Sequence, residues 1–249
     1  MATATRLFVA QDLTEGSPVQ ATQDQAHYLG RVLRLTEGAR LILFNGRDGE
    51  WSGELTAIGK SRAEITLLER RRVQAASPDV WLAFAPVKKT QTDFIVQKAT
   101  ELGVSRLIPL ITERTQAERV KTDRLQATAV EAAEQSERLD VPEVTEPVKL
   151  TDLIRDWPDG RALFLCAEAG EAMPLAAAAS AETRGSVAFV TGPEGGFSVA
   201  ELDFIRRSPL VQAVGLGPRI LRAETAAVAA LAVWQAVVGD GSYRPEPRG

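Results

Sequence analysis

Apolar and polar positions follow two different rhythms along the chain, and the change falls near residue 79. Up to about residue 75 the runs are short and strand-like. "RLILFNGRDGEWSGEL" (40–55) holds an apolar run, the turn dipeptides Asn45-Gly46 and Asp48-Gly49, and a second run, which predicts a β-hairpin. "AEITLLE" (63–69) adds an alternating strand, and strands of this length and spacing predict a small barrel over residues 1–75. "ERRRVQAASPD" (69–79) joins a charge run to small residues and a proline and reads as the linker.

From Asp79 strands and helices alternate. "VWLAFAPV" (80–87), "RLIPLI" (106–111), "RALFLCA" (161–167), "SVAFV" (186–190) and "VQAVGLG" (211–217) read as strands. Between them, "TQTDFIVQKATELG" (90–103) puts Ile95, Ala99 and Leu102 on one helical face and stops at Gly103. A charged helix is predicted from Lys121 to Arg138, and another segment at "LTDLIRDW" (150–157). "SVAE" (198–201) has capping-box spacing, with Ser198 as N-cap and Glu201 reaching back. The order predicts an α/β domain over 76–249, a mostly parallel sheet with helices on both faces. The closing helix, Glu224 to Val238, is apolar nearly all round. That predicts burial on every side, within one chain or with one face on a second subunit.

Composition narrows the class. The chain has 249 residues, 45% apolar and 25% charged, as soluble globular chains do. Its longest uncharged apolar stretch, Ala226 to Val238, is too short to cross a bilayer, and no export signal opens the sequence. A single cysteine, Cys166, excludes an internal disulfide and a CxxC zinc site, so no metal is expected and the expected compartment is the cytoplasm. Net charge is −4, with residues 1–75 at +1 and the remainder at −5. Contact with nucleic acid therefore has to use local basic patches.

Two segments carry candidate chemistry. "VTGPEGGFS" (190–198) is a glycine-rich loop after a strand, but it lacks the Lys-Ser/Thr of a phosphate loop and the dinucleotide fingerprint. Glu194 in its middle would repel a pyrophosphate. It suits a ligand with hydroxyls, amide-like acceptors or a positive charge, and S-adenosylmethionine has all of these. "GLGPRILRAETA" (215–226) again ends a strand in Gly-x-Gly-Pro and delays the next helix. Loops at the C-terminal ends of strands in open α/β sheets bind ligands, so the two are expected to face one crevice. Glycines 192, 195, 196 and 217 let backbone read an adenine edge. The alternatives are a plain strand-to-helix turn with Glu194 solvated, and a structural ion pair between Arg222 and Glu224.

"VTGPEGGFSVAEL", "GLGPRILRAETAA", "KATELGV" and "EAAEQSERLDVPEV" together resemble the ribosomal RNA small subunit methyltransferase E family of the SPOUT superfamily. "RLFV" (6–9) and "HYLGRVLRLTEGARLILFNG" (27–46) are similar to that family's N-terminal PUA-like barrel. The resemblance implies a C-terminal trefoil knot, a homodimer, and methylation of a uridine N3 in 16S rRNA of the small ribosomal subunit. It places S-adenosylmethionine against Leu165 at the end of strand 161–167, against Gly192, Pro193, Glu194, Gly195 and Gly196, and against Leu216, Gly217, Ile220, Leu221, Thr225 and Ala226. The stretch before the first α/β helix departs from the family pattern, with Gln91 where a basic residue is usual. Lys88 and Lys89 are expected to compensate as RNA contacts.

Loss of the uridine N3 proton needs a base or a lowered pKa. Arg222 suits the developing negative oxygen electrostatically, and Glu224 or Glu194 suits the proton or the orienting of Arg222. Arg6, Arg31 and Arg34 are expected to grip rRNA phosphates. His27 is expected in packing or RNA contact, and Cys166 as a buried strand residue. Two other readings fit the same residues: a non-catalytic ribosome-assembly factor, and a related knotted enzyme acting on a ribose hydroxyl or a tRNA base.

Overall fold

The computed structural model describes residues 4–115, 120–167 and 172–244. The chain divides into two compact units, residues 1–76 with 133–141, and residues 77–132 with 142–249.

The first unit is built on a five-stranded sheet of β1 (Thr5–Phe8), β2 (Pro18–Gln20), β3 (Arg40–Phe44), β4 (Glu50–Ile58) and β5 (Ala63–Arg72), in the order β1-β3-β4-β5-β2. β3 and β4 are the predicted hairpin, antiparallel with Leu43 opposite Trp51. Their inward residues, with Leu7, Val19, Ile65 and Leu67, form one core. Helix α1 (Gln23–His27) runs into one turn of π-helix (Tyr28–Val32) and buries Ala26 and Leu29 on that core. A capping box starts α1: Gln25 N donates to Thr22 Oγ1, and Thr22 N donates to the Gln25 side chain.

Arg6 overturns an expectation. It is 9% exposed and is not a phosphate grip. Its guanidinium pairs with Glu50 at 2.9 Å and donates to the carbonyls of Ala133, Glu134 and Arg138 at 2.8–3.1 Å. Every donor direction it could offer to RNA is spent inside the unit. Arg72 also pairs with Glu50, at 2.7 Å, and donates to the Glu137 carbonyl. The arrangement fastens segment 133–141 to the sheet and satisfies carbonyls at the end of a helix. Burial lowers the Arg6 pKa, and Glu50 opposes that effect. Arg6→Ala is therefore expected to cost about 3 kcal/mol of stability, seen as a lower urea midpoint. An unchanged midpoint would refute the clamp. The predicted linker is also shorter than expected, because residues 69–72 continue β5 and Arg72 is held by that clamp.

The second unit carries β6 (Val80–Phe84), β7 (Arg106–Ile111), β8 (Glu143–Val144), β9 (Val148–Lys149), β10 (Ala162–Cys166), β11 (Met173–Pro174), β12 (Val187–Thr191) and β13 (Val211–Gly215). The sheet order is β11-β13-β10-β12-β6-β7-β8, with β9 paired to β7, and every pairing is parallel. The helices are α2 (Lys89–Glu101), α3 (Thr122–Gln135), α4 (Leu150–Arg155), α5 (Leu175–Ala181), α6 (Val199–Arg207) and α7 (Ala223–Val237). Ile154 of α4 and Ile205 of α6 pack on one face with Leu163, Leu165, Ala188 and Val190. On the other face Phe164, Phe189 and Trp234 meet ring to ring under α7, which also packs on α2 and α5. Near-continuous apolar strands are what a doubly covered sheet requires.

α2 ends as the sequence predicts, at Gly103 with φ 82°, where a side chain would also lie 2.9 Å from the Gln235 amide. Within one chain α7 is buried on one side only, which leaves the reading with its other face on a second subunit. Ala227, Ala230, Leu231 and Trp234 are buried, whereas Thr225, Ala232 and Ala236 are exposed. Its small residues made the helix read as apolar all round although only one face enters the core.

Candidate functional site

β10 lies between β12 and β13, all three parallel, so their C-terminal ends open on one edge of the sheet. The chain must turn away from each strand there, and two of these turns are the glycine-proline segments.

The first turn, Thr191 to Phe197, has a fixed shape. The Gly196 amide donates to the Pro193 carbonyl at 2.9 Å, and Gly196 takes φ 65°, which favours glycine. A Cβ on Gly192 would lie 2.9 Å from the Phe197 ring. Arg114 donates to the Gly195 carbonyl at 2.6 Å and holds the outer edge. The predicted capping box then starts α6: Glu201 N donates to Ser198 Oγ at 3.1 Å, and Ser198 N donates to Glu201 Oε2 at 2.8 Å. Oε1 of Glu201 accepts from the Glu113 amide at 2.9 Å, which ties the segment bearing Arg114 to the same helix.

The second turn leaves β13 through Leu216 and Gly217, with Gly217 at φ 108° in open space. It reaches α7 at Ala223, with Arg222 as an extended N-cap residue whose side chain makes no capping bond. No ion pair or hydrogen bond of the Arg222 guanidinium is found among the described residues, so the structural pair with Glu224 does not form. Glu224 is half-buried, and its Oε2 is buried without a hydrogen-bond partner.

Both turns line one cavity of about 470 Å³. Thr191, Gly192, Pro193 and Glu194 form one wall, and Leu216, Gly217, Arg219, Ile220, Leu221 and Arg222 the facing one. Cys166 and Ala167 close it from β10, Ala223 and Ala226 from α7, and Lys88 joins from the segment before α2. The volume lies within the range of small-molecule sites, about 300–1,000 Å³. Backbone and apolar groups make up much of the lining, beside the cations Lys88, Arg219 and Arg222 and Glu194, the one carboxylate there among the described residues, which suits a positive sulfur. Burial pushes the Cys166 thiol up to about 12, so it lines the wall as a neutral group and not as a nucleophile.

Several expected residues stand elsewhere. Leu165 is in the core with Leu163 and Val190, whereas Cys166, which alternates to the other face, and Ala167, just past the strand end, make the wall. Gly195 and Gly196 shape the first turn but lie off this wall. Gly195 borders an adjoining cavity of about 130 Å³ shared with Pro86, Val87, Lys88, Arg114, Pro193 and Glu194. Thr225 is exposed on α7 and, like Glu224, is absent from the wall. Ile220, on the wall, is 81% exposed and stands at the mouth. Arg31 and Arg34 are exposed, as are Lys88, Lys89 and His27. Sequence reasoning missed Cys166, Thr191, Arg219 and Ala223 as wall residues, and did not foresee Lys88 there. Arg219 was legible as a cation within the loop, whereas Lys88 arrives only through strand order.

An RNA methyltransferase domain model matches residues 75–235, and an RNA methyltransferase PUA domain model matches residues 21–68. The chain is 32% identical to the ribosomal RNA small subunit methyltransferase E of Rickettsia conorii, over 91% of this chain and 93% of that one. It is 36% identical to the Synechocystis protein of the same name, over 92% and 76%. The crystal structure of a ribosomal RNA small subunit methyltransferase E from Neisseria gonorrhoeae bound to S-adenosyl methionine superposes with a TM-score of 0.86. The two are 30% identical, and the match covers 96% of this chain and 99% of that one. The parallel-sheet unit thus has the SPOUT methyltransferase fold with its C-terminal trefoil knot, and the five-stranded unit the PUA-like fold. The chain belongs to the ribosomal RNA small subunit methyltransferase E family.

Proposed function

We propose that the chain transfers a methyl group from S-adenosylmethionine to N3 of a uridine in 16S rRNA of the small ribosomal subunit. The observation that carries this reading is the single cavity into which both glycine-proline turns open. When bound, S-adenosylmethionine supplies an electrophilic methyl on a sulfonium. The walls at Gly192, Leu216, Gly217 and Leu221 hold it through backbone edges, with Pro193, Ile220 and Ala226 as apolar surface and Glu194 facing its positive charge. Arg222, on the cavity wall and without another partner among the described residues, stabilises the negative charge that a uracil oxygen gains as N3 loses its proton. Glu224 accepts the proton or orients Arg222, with Glu194 as the alternative carboxylate. The unpartnered Oε2 of Glu224 supports that choice, since a buried carboxylate oxygen needs a partner. Gly195 and Gly196 act by shaping the first turn.

Arg31 and Arg34 in the first unit hold RNA phosphates, and so do Lys88 and Lys89 in the second. We place the reaction in the cytoplasm, where ribosomal RNA is substrate; no described helix is long and apolar enough to cross a membrane. A homodimer would cover the outer face of α7, with Val237 and Val238 exposed beside it, and light scattering tests that.

Incubating the protein with labelled S-adenosylmethionine and either 16S rRNA or small subunits, then digesting to nucleosides, tests the reaction. Label in 3-methyluridine supports it. Label in a ribose methyl ether, or none in either substrate, overturns it.

A further inference from the structure

A third cavity, of about 350 Å³, lies between the segment from Pro86 to Thr92 and the start of α3. Among the described residues its cations are Lys89, Lys121 and Arg124. Arg124 is committed to Asp93 by an ion pair. Lys89 and Lys121 are exposed and take part in no ion pair among the described residues. The chain has only six lysines, and three of them, Lys88, Lys89 and Lys121, line this cavity or the two beside it.

Two helices begin at its rim. α2 starts at Lys89, and no side chain caps it. α3 starts at Thr122, with the Lys121 carbonyl accepting from the amides of Arg124 and Leu125. Open first-turn amides and the positive helix ends both favour an anion. Asp123, in the first turn of α3, is exposed and lies outside the lining. The cavity also neighbours the reaction site through shared lining residues. Pro86 and Val87 belong to it and to the 130 Å³ cavity, and Lys88 belongs to the latter and to the cofactor cavity.

We propose that this cavity is a phosphate subsite for the substrate RNA, in which Lys89 and Lys121 hold a backbone phosphate of a nucleotide flanking the target uridine. The inference rests on the methyltransferase reading above. It assigns the strand path from the cofactor cavity, past Lys88, to the start of α3.

The test compares the wild type, Lys89→Ala/Lys121→Ala, Lys89→Arg/Lys121→Arg and a control, Lys149→Ala, an exposed lysine away from the three cavities. Binding of S-adenosylmethionine is followed by calorimetry, KM for small subunits by methyl transfer, and RNA affinity across salt concentrations. The alanine pair is expected to keep cofactor affinity, which also reports that it is folded. Its KM should rise about tenfold, and its log-log salt slope should flatten by about 0.7, the loss of one single-strand phosphate contact. The arginine pair and Lys149→Ala should match the wild type. If the wild type methylates and the alanine pair matches it in KM and salt slope, the subsite is wrong and the methyltransferase reading stands. If the wild type methylates neither substrate, both fall together.

Discussion

Arg222→Ala is expected to keep S-adenosylmethionine affinity within about threefold while turnover falls by about 100- to 1000-fold, the usual cost of one donor aimed at developing charge. The expectation follows from placement. Arg222 lies on the cavity wall, caps nothing and pairs with nothing among the described residues, so its removal leaves no buried charge behind. Stability should therefore change little. Its positive charge also lies at the mouth of a cavity whose backbone edges already provide for a nucleoside. The split between cofactor affinity and turnover is the diagnostic. A collapse of cofactor affinity with turnover per bound cofactor preserved would make Arg222 a binding group, and the electrostatic role would be wrong. Arg222→Lys should recover only part of the rate, because an ammonium lacks the planar fork that meets a uracil oxygen and its neighbour together.

The second large effect is expected at Gly217. Its φ of 108° lies where a β-branched residue is strongly disfavoured, so Gly217→Val forces the turn to another shape at a local cost of about 1–3 kcal/mol. The turn is one wall of the cofactor cavity, and a change there moves backbone that the ligand reads. S-adenosylmethionine affinity should fall at least about tenfold, consistent with a misplaced wall worth more than about 1.4 kcal/mol. Gly38, at φ 87° in the barrel unit and likewise in open space, is the control. Gly38→Val should lower the thermal midpoint comparably and leave cofactor affinity intact. Equal cofactor affinity in both variants would separate the Gly217 turn from the ligand.

Much of this architecture is legible in the sequence because its causes are local. The strands of the second unit are short apolar runs, as a sheet covered on both faces requires, and five of them stand where those runs predict. Ser198 and Glu201 announce the start of α6 through the capping box that forms there. What escaped is non-local. Arg6 reads as a surface cation until its strand is paired and Glu50 and the carbonyls of 133–138 are seen around it. Lys88 and Arg114 reach the site because β6 lies beside β12 and β7 beside β6, an order that no local pattern encodes. β2, β8, β9 and β11 are two or three residues long, too short for any period to show. The exposed face of α7 was hidden by alanine, which carries almost no signal about which side faces solvent.

Calorimetric titration of the wild-type protein with S-adenosylmethionine, alone and in the presence of ATP, tests the shared cavity most directly. The account predicts saturable binding at one site per chain that equimolar ATP does not displace. Absence of saturable binding, or displacement by ATP, would contradict it.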